Sequence, residues 1–235
     1  MEHKVDAPPE GAEAIRREIR TFSIRAGHFT AVQRKDYEEL LPVFGVPHEK
    51  RLMRFGDVFG NDNPVVVEIG FGMGRATAII AANNPDVNYL GIEVHKPGIG
   101  KLLGEIRERN LRNVRICAHD AMEVLADQIP DESVGAFHIF FPDPWQKKRH
   151  HKRRILQRPR TDLMASKLAA GGYLYAVTDW LPYAESALSE LSQTAGLKNR
   201  FGGFAPRQEW RPRTRFEQKG LDANRAISEL LFEKA

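Results

Sequence analysis

Between residues 64 and 195, short β-branched runs alternate with helix-patterned stretches, and that alternation admits few folds. Val65-Val66-Val67-Glu68-Ile69 has the near-continuous apolar character of a strand covered on both faces. The glycines of residues 70–74 interrupt it, and residues 76–82 read as a helix. A second strand spans 88–94, a helix 99–109, a third strand 114–119, and a short helix 122–126. The fourth strand, 136–141, is stopped by Pro142. A helix over 161–169, a break at Gly171-Gly172, a fifth strand over 173–178 and a helix over 181–194 complete the series. Strands separated by single helices predict a parallel sheet with right-handed crossovers. The expected fold is α/β, a doubly wound, mostly parallel sheet with a late antiparallel strand near residues 227–232.

The length of 235 residues suits one domain with an appendage. Residues 1–60 read as a basic N-terminal arm and lead-in, with Arg16, Arg17, Arg20 and Arg25 and a short helix over 36–41; residues 61–235 read as the domain. Hydrophobic residues at 42% and charged residues at 28% exclude wholesale disorder. No apolar run reaches membrane-span length, and the charged start Met1-Glu2-His3-Lys4 does not resemble a secretory signal, so the expected compartment is cytoplasmic, with no membrane partner. The lone Cys117 forbids an internal disulfide and a cysteine zinc cluster.

In doubly wound sheets, ligands bind at the carboxyl ends of the strands. Those ends here carry Glu68, Glu93, Asp120, Asp143 and Asp179. One such acid is often a helix cap; five in succession need another explanation. Glu68 stands two residues before Gly70-Phe71-Gly72-Met73-Gly74. A Walker loop would need Gly-Lys-Ser/Thr, whereas Arg75-Ala76 follows Gly74; the dinucleotide fingerprint is G-x-G-x-x-G, whereas this spacing is G-x-G-x-G. A pyrophosphate beside Glu68 would meet like charge. S-adenosylmethionine carries a sulfonium, an ammonium and one carboxylate. It needs glycines for close backbone approach and an acid for its ribose hydroxyls, and Glu93, 19 residues after Gly74, stands where that acid belongs.

The fourth strand leads into Phe141-Pro142-Asp143-Pro144-Trp145, where two prolines with fixed φ project a carboxylate among aromatic rings suited to stacking on a base. The alternative is a Pro-rich strand exit with a packed tryptophan. Eight cations then lie between Lys147 and Arg160 with no acid among them. The whole chain has net charge +4, and without that block its acids outnumber its Lys and Arg. A polyanionic partner such as RNA fits a local block of this kind better than a solvated face does. His150 and His151 are metal-capable, but six adjacent cations oppose a dication, so no metal is expected.

Together with Gly91-Ile92-Glu93-Val94-His95, Val177-Thr178-Asp179-Trp180 and Arg211-Pro212-Arg213-Thr214-Arg215-Phe216-Glu217, these pieces resemble the bacterial tRNA (guanine-N7-)-methyltransferases from about Thr21 to the end. Gln146 stands where many members have proline. The resemblance implies a Rossmann-like class I methyltransferase fold. It also implies transfer of a methyl group from S-adenosylmethionine, leaving S-adenosylhomocysteine, to N7 of the variable-loop guanine at tRNA position 46, by a monomer or homodimer. On this resemblance, Glu68, Glu93, Asp120 and Asp143 are cofactor-binding acids around Gly70, Gly72 and Gly74, and Asp143 is also the catalytic residue. Lys147, Asp179, Thr214, Arg215, Phe216 and Glu217 are substrate contacts, and Arg149, His150, His151, Lys152, Arg153 and Arg154 contact RNA.

Guanine N7 offers an available lone pair at neutral pH, so the expected chemistry is an in-line displacement without a general base, governed by positioning. A carboxylate at Asp143 would orient the base and offset the positive charge that moves onto it. Two other readings use the same residues. One is an amino-methyltransferase acting on adenine or cytosine, whose Asp/Asn-Pro-Pro-aromatic turn the order Pro142-Asp143-Pro144-Trp145 matches imperfectly. The other is a catalytically inactive RNA-binding protein on a Rossmann-like fold. A dinucleotide oxidoreductase is a more distant third.

Overall fold

The computed structural model describes residues 19–23 and 27–235. The β-branched run forms strand β1, Val65–Ile69, buried along its whole length. β2 (Asn88–Ile92) and β3 (Val114–Cys117) follow to one side of it; β4 (Val134–Phe140) and β5 (Leu168–Thr178) lie on the other. With β6 (Leu197–Asn199) and β7 (Ser228–Lys234) the sheet order is β3-β2-β1-β4-β5-β7-β6. The first five strands are parallel, and β7 runs antiparallel to both β5 and β6. The strand order therefore reverses between β1 and β4, the switch point at which a crevice opens in sheets of this class.

Alternate side chains of β1 feed two cores, as the two-residue period of a strand requires. Val65, Val67 and Ile69 pack with apolar residues of α5 (Ala121–Asp127), α6 (Arg160–Lys167) and α7 (Leu181–Ser192). Val66 faces the opposite layer, with Ile80 of α3 (Arg75–Asn83) and Leu102 and Ile106 of α4 (Lys96–Arg109). Among the described residues, no helix is long and apolar enough to cross a membrane.

The lead-in carries more structure than its sequence pattern suggests. Helix α1 spans Ala31–Phe44 rather than the six residues 36–41. It starts at a capping box: Thr30 Oγ1 accepts from the Gln33 N–H at 3.2 Å, and Gln33 Oε1 accepts from the Thr30 N–H at 3.0 Å. α1 lies against α4, where an ion pair joins Asp36 to Arg107. A short helix α2, Phe55–Phe59, then leads to β1. Of the arm, Arg16, Arg17 and Arg25 fall outside the described residues. Gly171-Gly172 does not break the chain; both glycines sit inside β5, beside a register irregularity between Val134 and Ala136. The late antiparallel strand is β7. Helix α8, Arg215–Asp222, and the short β6 have no counterpart in the sequence reading.

Both margins of the sheet are short or partly covered. Along β3, Gly45 pairs with Ile116, and the Val46 N–H donates to the Ile116 carbonyl at 2.8 Å. At the other margin β6 is three residues long.

The α1–α4 contact depends on glycines of α4. A Cβ on Gly100 would lie 2.2 Å from the Gln33 carbonyl oxygen, a backbone atom that cannot swing away. Alanine favours a helix interior by up to about 1 kcal/mol over glycine, yet Gly100→Ala is expected to destabilise the protein by about 1–3 kcal/mol through overpacking. The melting temperature should fall by about 3–8 °C, and a thermal denaturation scan in which it holds or rises would show that the two helices do not need this close approach.

Candidate active site

A cavity of about 300 Å³ opens at the switch point. Gly70, Gly72, Glu93 and Asp143 line it, so four of the residues singled out from the sequence converge on one space. The loop after β1 turns on three left-handed glycines, Gly70 (φ +74°), Gly72 (φ +59°) and Gly74 (φ +69°). Among the described residues, nothing lies within 4 Å of where a Cβ on Gly70 or Gly72 would stand, so both show bare backbone to the opening. Gly74 instead caps α3 and packs on Leu102. Glu93 braces this loop: Oε2 accepts from the Gly72 N–H at 3.0 Å, and Oε1 accepts from the N–H groups of Val94 at 2.7 Å and His95 at 3.0 Å.

Glu68 sits behind Ile69 and Gly70, only 2% exposed. Burial, with added repulsion from Glu93, pushes its carboxyl up to about 7 against the opposing Thr77 hydroxyl. Its Oε2 has no hydrogen-bond partner among the described residues. Glu68 does not itself line the cavity; its chain neighbours Ile69 and Gly70 do. Asp120 has a more local duty: Oδ1 accepts from the Met122 N–H at 2.9 Å and caps α5, while its neighbours His119 and Ala121 line the cavity.

The turn after β4 is strained at both ends. Phe141 (φ 52°) and Trp145 (φ 47°) occupy the left-handed region, which bulky side chains rarely enter, and they bracket Pro142-Asp143-Pro144. Surrounding bonds hold the strain. The Phe141 N–H donates to Val177 O at 2.7 Å, Arg154 Nε donates to Pro144 O at 3.0 Å, and Trp145 Nε1 donates to Thr21 O at 3.1 Å.

The basic run is divided by the fold. Lys148–Arg153 forms a 3₁₀ turn on which Lys148, Arg149 and Lys152 are exposed, as is Lys147 just before it. Arg153 stacks on Trp145 at 4.0 Å and donates to the carbonyls of Arg20 and Phe22. Arg154 is 4% exposed and lies over Tyr183, so it props the turn from within. His151 shares a hydrogen bond with Arg154 at 3.1 Å. Slight burial and the cations Arg149, Arg153, Lys147 and Lys152 lower the His150 imidazole below its ordinary range.

Asp179 and the residues 214–217 form a neighbouring group rather than part of the cavity wall. Arg225 Nε lies 2.9 Å from Asp179 Oδ2, and α8 approaches Asp179 closely through Gly220. Thr214 caps α8 by accepting from the Glu217 N–H at 3.0 Å; Arg215 and Phe216 are exposed. Glu217 is buried. Burial alone would raise its carboxyl, but the Arg211 guanidinium outweighs that and holds it below the usual range.

Sequence reasoning missed Arg211 as the centre of this group. Fully buried, it donates to Glu217 Oε2 at 2.7 Å, Glu229 Oε1 at 2.7 Å and the Tyr175 hydroxyl at 3.1 Å, tying α8 to β7 and β5. It opens the run 211–217, but its partner Glu229 lies 18 residues further along the chain. Also unforeseen were Thr21, Phe22 and Ser23, which roof the cavity. Among the described residues, His48, His119 and Glu123 form the metal-capable grouping, not His150 and His151. The rings of His48 and His119 stack 3.9 Å apart at 8°, so their ring-nitrogen lone pairs lie in separate parallel planes and share no point.

A family model described as "Putative methyltransferase" matches residues 62–230. The tRNA (guanine-N(7)-)-methyltransferase of Chromobacterium violaceum is 47% identical over 221 residues, covering 94% of this chain and 98% of its own length. The protein of the same name from Paraburkholderia xenovorans is 49% identical over 228 residues, covering 97% and 87%. Among solved structures, the 16S rRNA methyltransferase KamB matches with a TM-score of 0.54 at 16% identity, over 77% of this chain and 92% of its own. The [4+2]-cyclase SpnF matches at 0.51, also at 16% identity, over 76% and 77%. At that identity the likeness is one of fold, and a cyclase on the same scaffold shows that the scaffold does not name the reaction. The relatives carry the assignment further: with nearly half the residues identical along almost their whole length, and the family model spanning the glycine loop, the strained turn and α8, the chain belongs to the tRNA (guanine-N(7)-)-methyltransferase family.

Proposed function

We propose that this protein transfers a methyl group from S-adenosylmethionine to N7 of the guanine at position 46 in the variable loop of tRNA, in the cytoplasm. The observation that carries this reading is the pairing of two opposite polarities. Glu68, buried and with no partner for its Oε2 among the described residues, leads into a loop of left-handed glycines, two of which line the cavity. A strained turn presents Asp143 at the same cavity, and exposed Lys147, Lys148, Arg149 and Lys152 follow that turn. A net-positive donor fits the first and a polyanion fits the second.

The donor supplies a methyl group on a cationic sulfur. Gly70 and Gly72 let it approach the backbone, Glu93 fixes the loop and meets the ribose side, and Glu68 answers its positive charge. Asp143, on a backbone with almost no freedom, accepts hydrogen bonds from the N1–H and amino edge of guanine and keeps N7 in line with the methyl carbon. As positive charge passes to the base, the same carboxylate faces it. No group of the protein needs to take a proton from N7. Asp179 and the 214–217 segment, held by Arg211, flank the base, and the exposed cations grip the phosphates.

Mass spectrometry of tRNA incubated with the purified protein and S-adenosylmethionine is expected to show 7-methylguanosine at position 46; methylation of an adenine or cytosine amino group, or none, would refute the proposal. Asp143→Asn keeps an acceptor and removes the charge. Its single-turnover rate should fall about 10–100-fold, and an unchanged rate would rule out charge stabilisation by this side chain. Glu68 gives a pH signature. Its carboxyl, raised to about 7 in the free protein, must be ionised to meet the cation. Affinity for S-adenosylmethionine should therefore rise with pH through 7, level off above it, and weaken about tenfold per unit below pH 6. Calorimetric titration in two buffers of different ionisation enthalpy should show proton release in the wild type and none in Glu68→Gln; equal release from both would place the titrating group elsewhere.

A further inference from the structure

The segment 198–216 has a composition unlike the rest of the surface. It holds six cations, Lys198, Arg200, Arg207, Arg211, Arg213 and Arg215, and one acid, Glu209. Every exposed large aromatic side chain among the described residues lies in it: Phe201 at 45%, Phe204 at 41%, Trp210 at 40% and Phe216 at 61% exposure. Helix α8, which follows, is turned inside out. It buries Glu217 and Gly220 and presents Phe216 and Leu221 outward beside Arg215 and Lys219.

The fold gives this segment a definite place. From β6 the chain runs along the outer side of β7, with Asn199 opposite Phe232 and Ala205 opposite Glu229. Glu229 in turn pairs with Val177, next to the carboxyl end of β5 and Asp179. The aromatic face therefore starts at the sheet margin and ends on the rim beside Asp179. It is not mobile dressing, because Trp210 stacks on His138 at 5.1 Å and Arg211 anchors the strand–helix connection beneath it.

We infer that the exposed Phe201 and Phe204 with Arg213 and Lys219 form a second RNA-binding surface, which takes unpaired nucleotides of the same tRNA by stacking their bases while the cations hold the intervening phosphates. The inference rests on the proposed tRNA reading and adds a site distinct from the Lys147–Arg154 run. Exposed aromatic rings interleaved with arginines are what an unstacked polynucleotide requires, since every base has a π-face and every linkage a negative charge. A second copy of the chain is the competing occupant, and charge disfavours it: two faces of this composition would bring like charges together.

Two variants separate these possibilities. Phe201→Ala/Phe204→Ala removes stacking without touching charge, and Arg213→Gln removes one exposed cation that forms no ion pair among the described residues. Binding of unmodified tRNA is measured by fluorescence anisotropy over a range of salt concentrations, with S-adenosylhomocysteine affinity as the check on folding. The double variant should bind tRNA about tenfold more weakly at an unchanged salt slope. Arg213→Gln should lower that slope by about one. Affinity of the double variant within twofold of wild type together with an unchanged salt slope for Arg213→Gln would overturn the inference, as would a wild-type dimer, seen by sedimentation velocity, that the double variant dissociates at unaltered tRNA affinity. If the double variant fails to fold, the slope of Arg213→Gln decides. A wild-type protein that does not methylate tRNA would instead sink the proposed function, so the two failures are told apart.

Discussion

The position of β1 between β2 and β4 is the constraint from which the site follows. Chain that leaves β1 turns toward β2 and chain that leaves β4 turns the other way, so a gap opens between the two exits, and Thr21, Phe22 and Ser23 lie over it. The cavity groups carried by the sheet reach it through that divergence. Gly70 and Gly72 come from the first exit, Asp143 from the second, and Glu93 from the neighbouring strand whose carboxylate ties the first exit down. The sheet is thus less a container than a fixed pair of opposed chain ends.

The parallel core was legible because its signals are local. Val65–Ile69 is a β-branched run bounded by proline and glycine, and its limits in the fold match the pattern residue for residue. The cavity acids were legible for a related reason, since a carboxylate after a buried strand must emerge at one end of the sheet. What escaped depends on distance along the chain. Nothing around Arg211 marks it as buried, because Glu229 and Tyr175, which make its burial tolerable, come from two other strands. β6 is too short to carry a period. Helix α8 has a capping threonine three residues before Glu217, yet its apolar residues point outward, so pattern reading finds no face to bury.

Charge counting had a similar limit. It located the basic block but did not show that the block is divided in labour: Arg154 supports Pro144 and Tyr183 from within, Arg153 lies flat on Trp145, and the lysines remain outside. The two strained residues at the ends of the Pro-Asp-Pro turn explain why interior arginines belong there. A backbone held in the left-handed region at Phe141 and Trp145 relaxes unless its surroundings resist, and a buried guanidinium on Pro144 O resists it directly.

The short and partly covered margins of the sheet bear on how this protein behaves in a crowded solution. An open strand edge offers a ladder of free N–H and C=O groups to any passing extended chain, and it is a common seed for fibrous assembly. Here one border is occupied by Gly45 and Val46 and the other ends after three residues, so neither can template a foreign strand over any length. Association with other molecules is thereby left to side chains, where choice of partner rests on shape and charge rather than on the indiscriminate pairing of main chains.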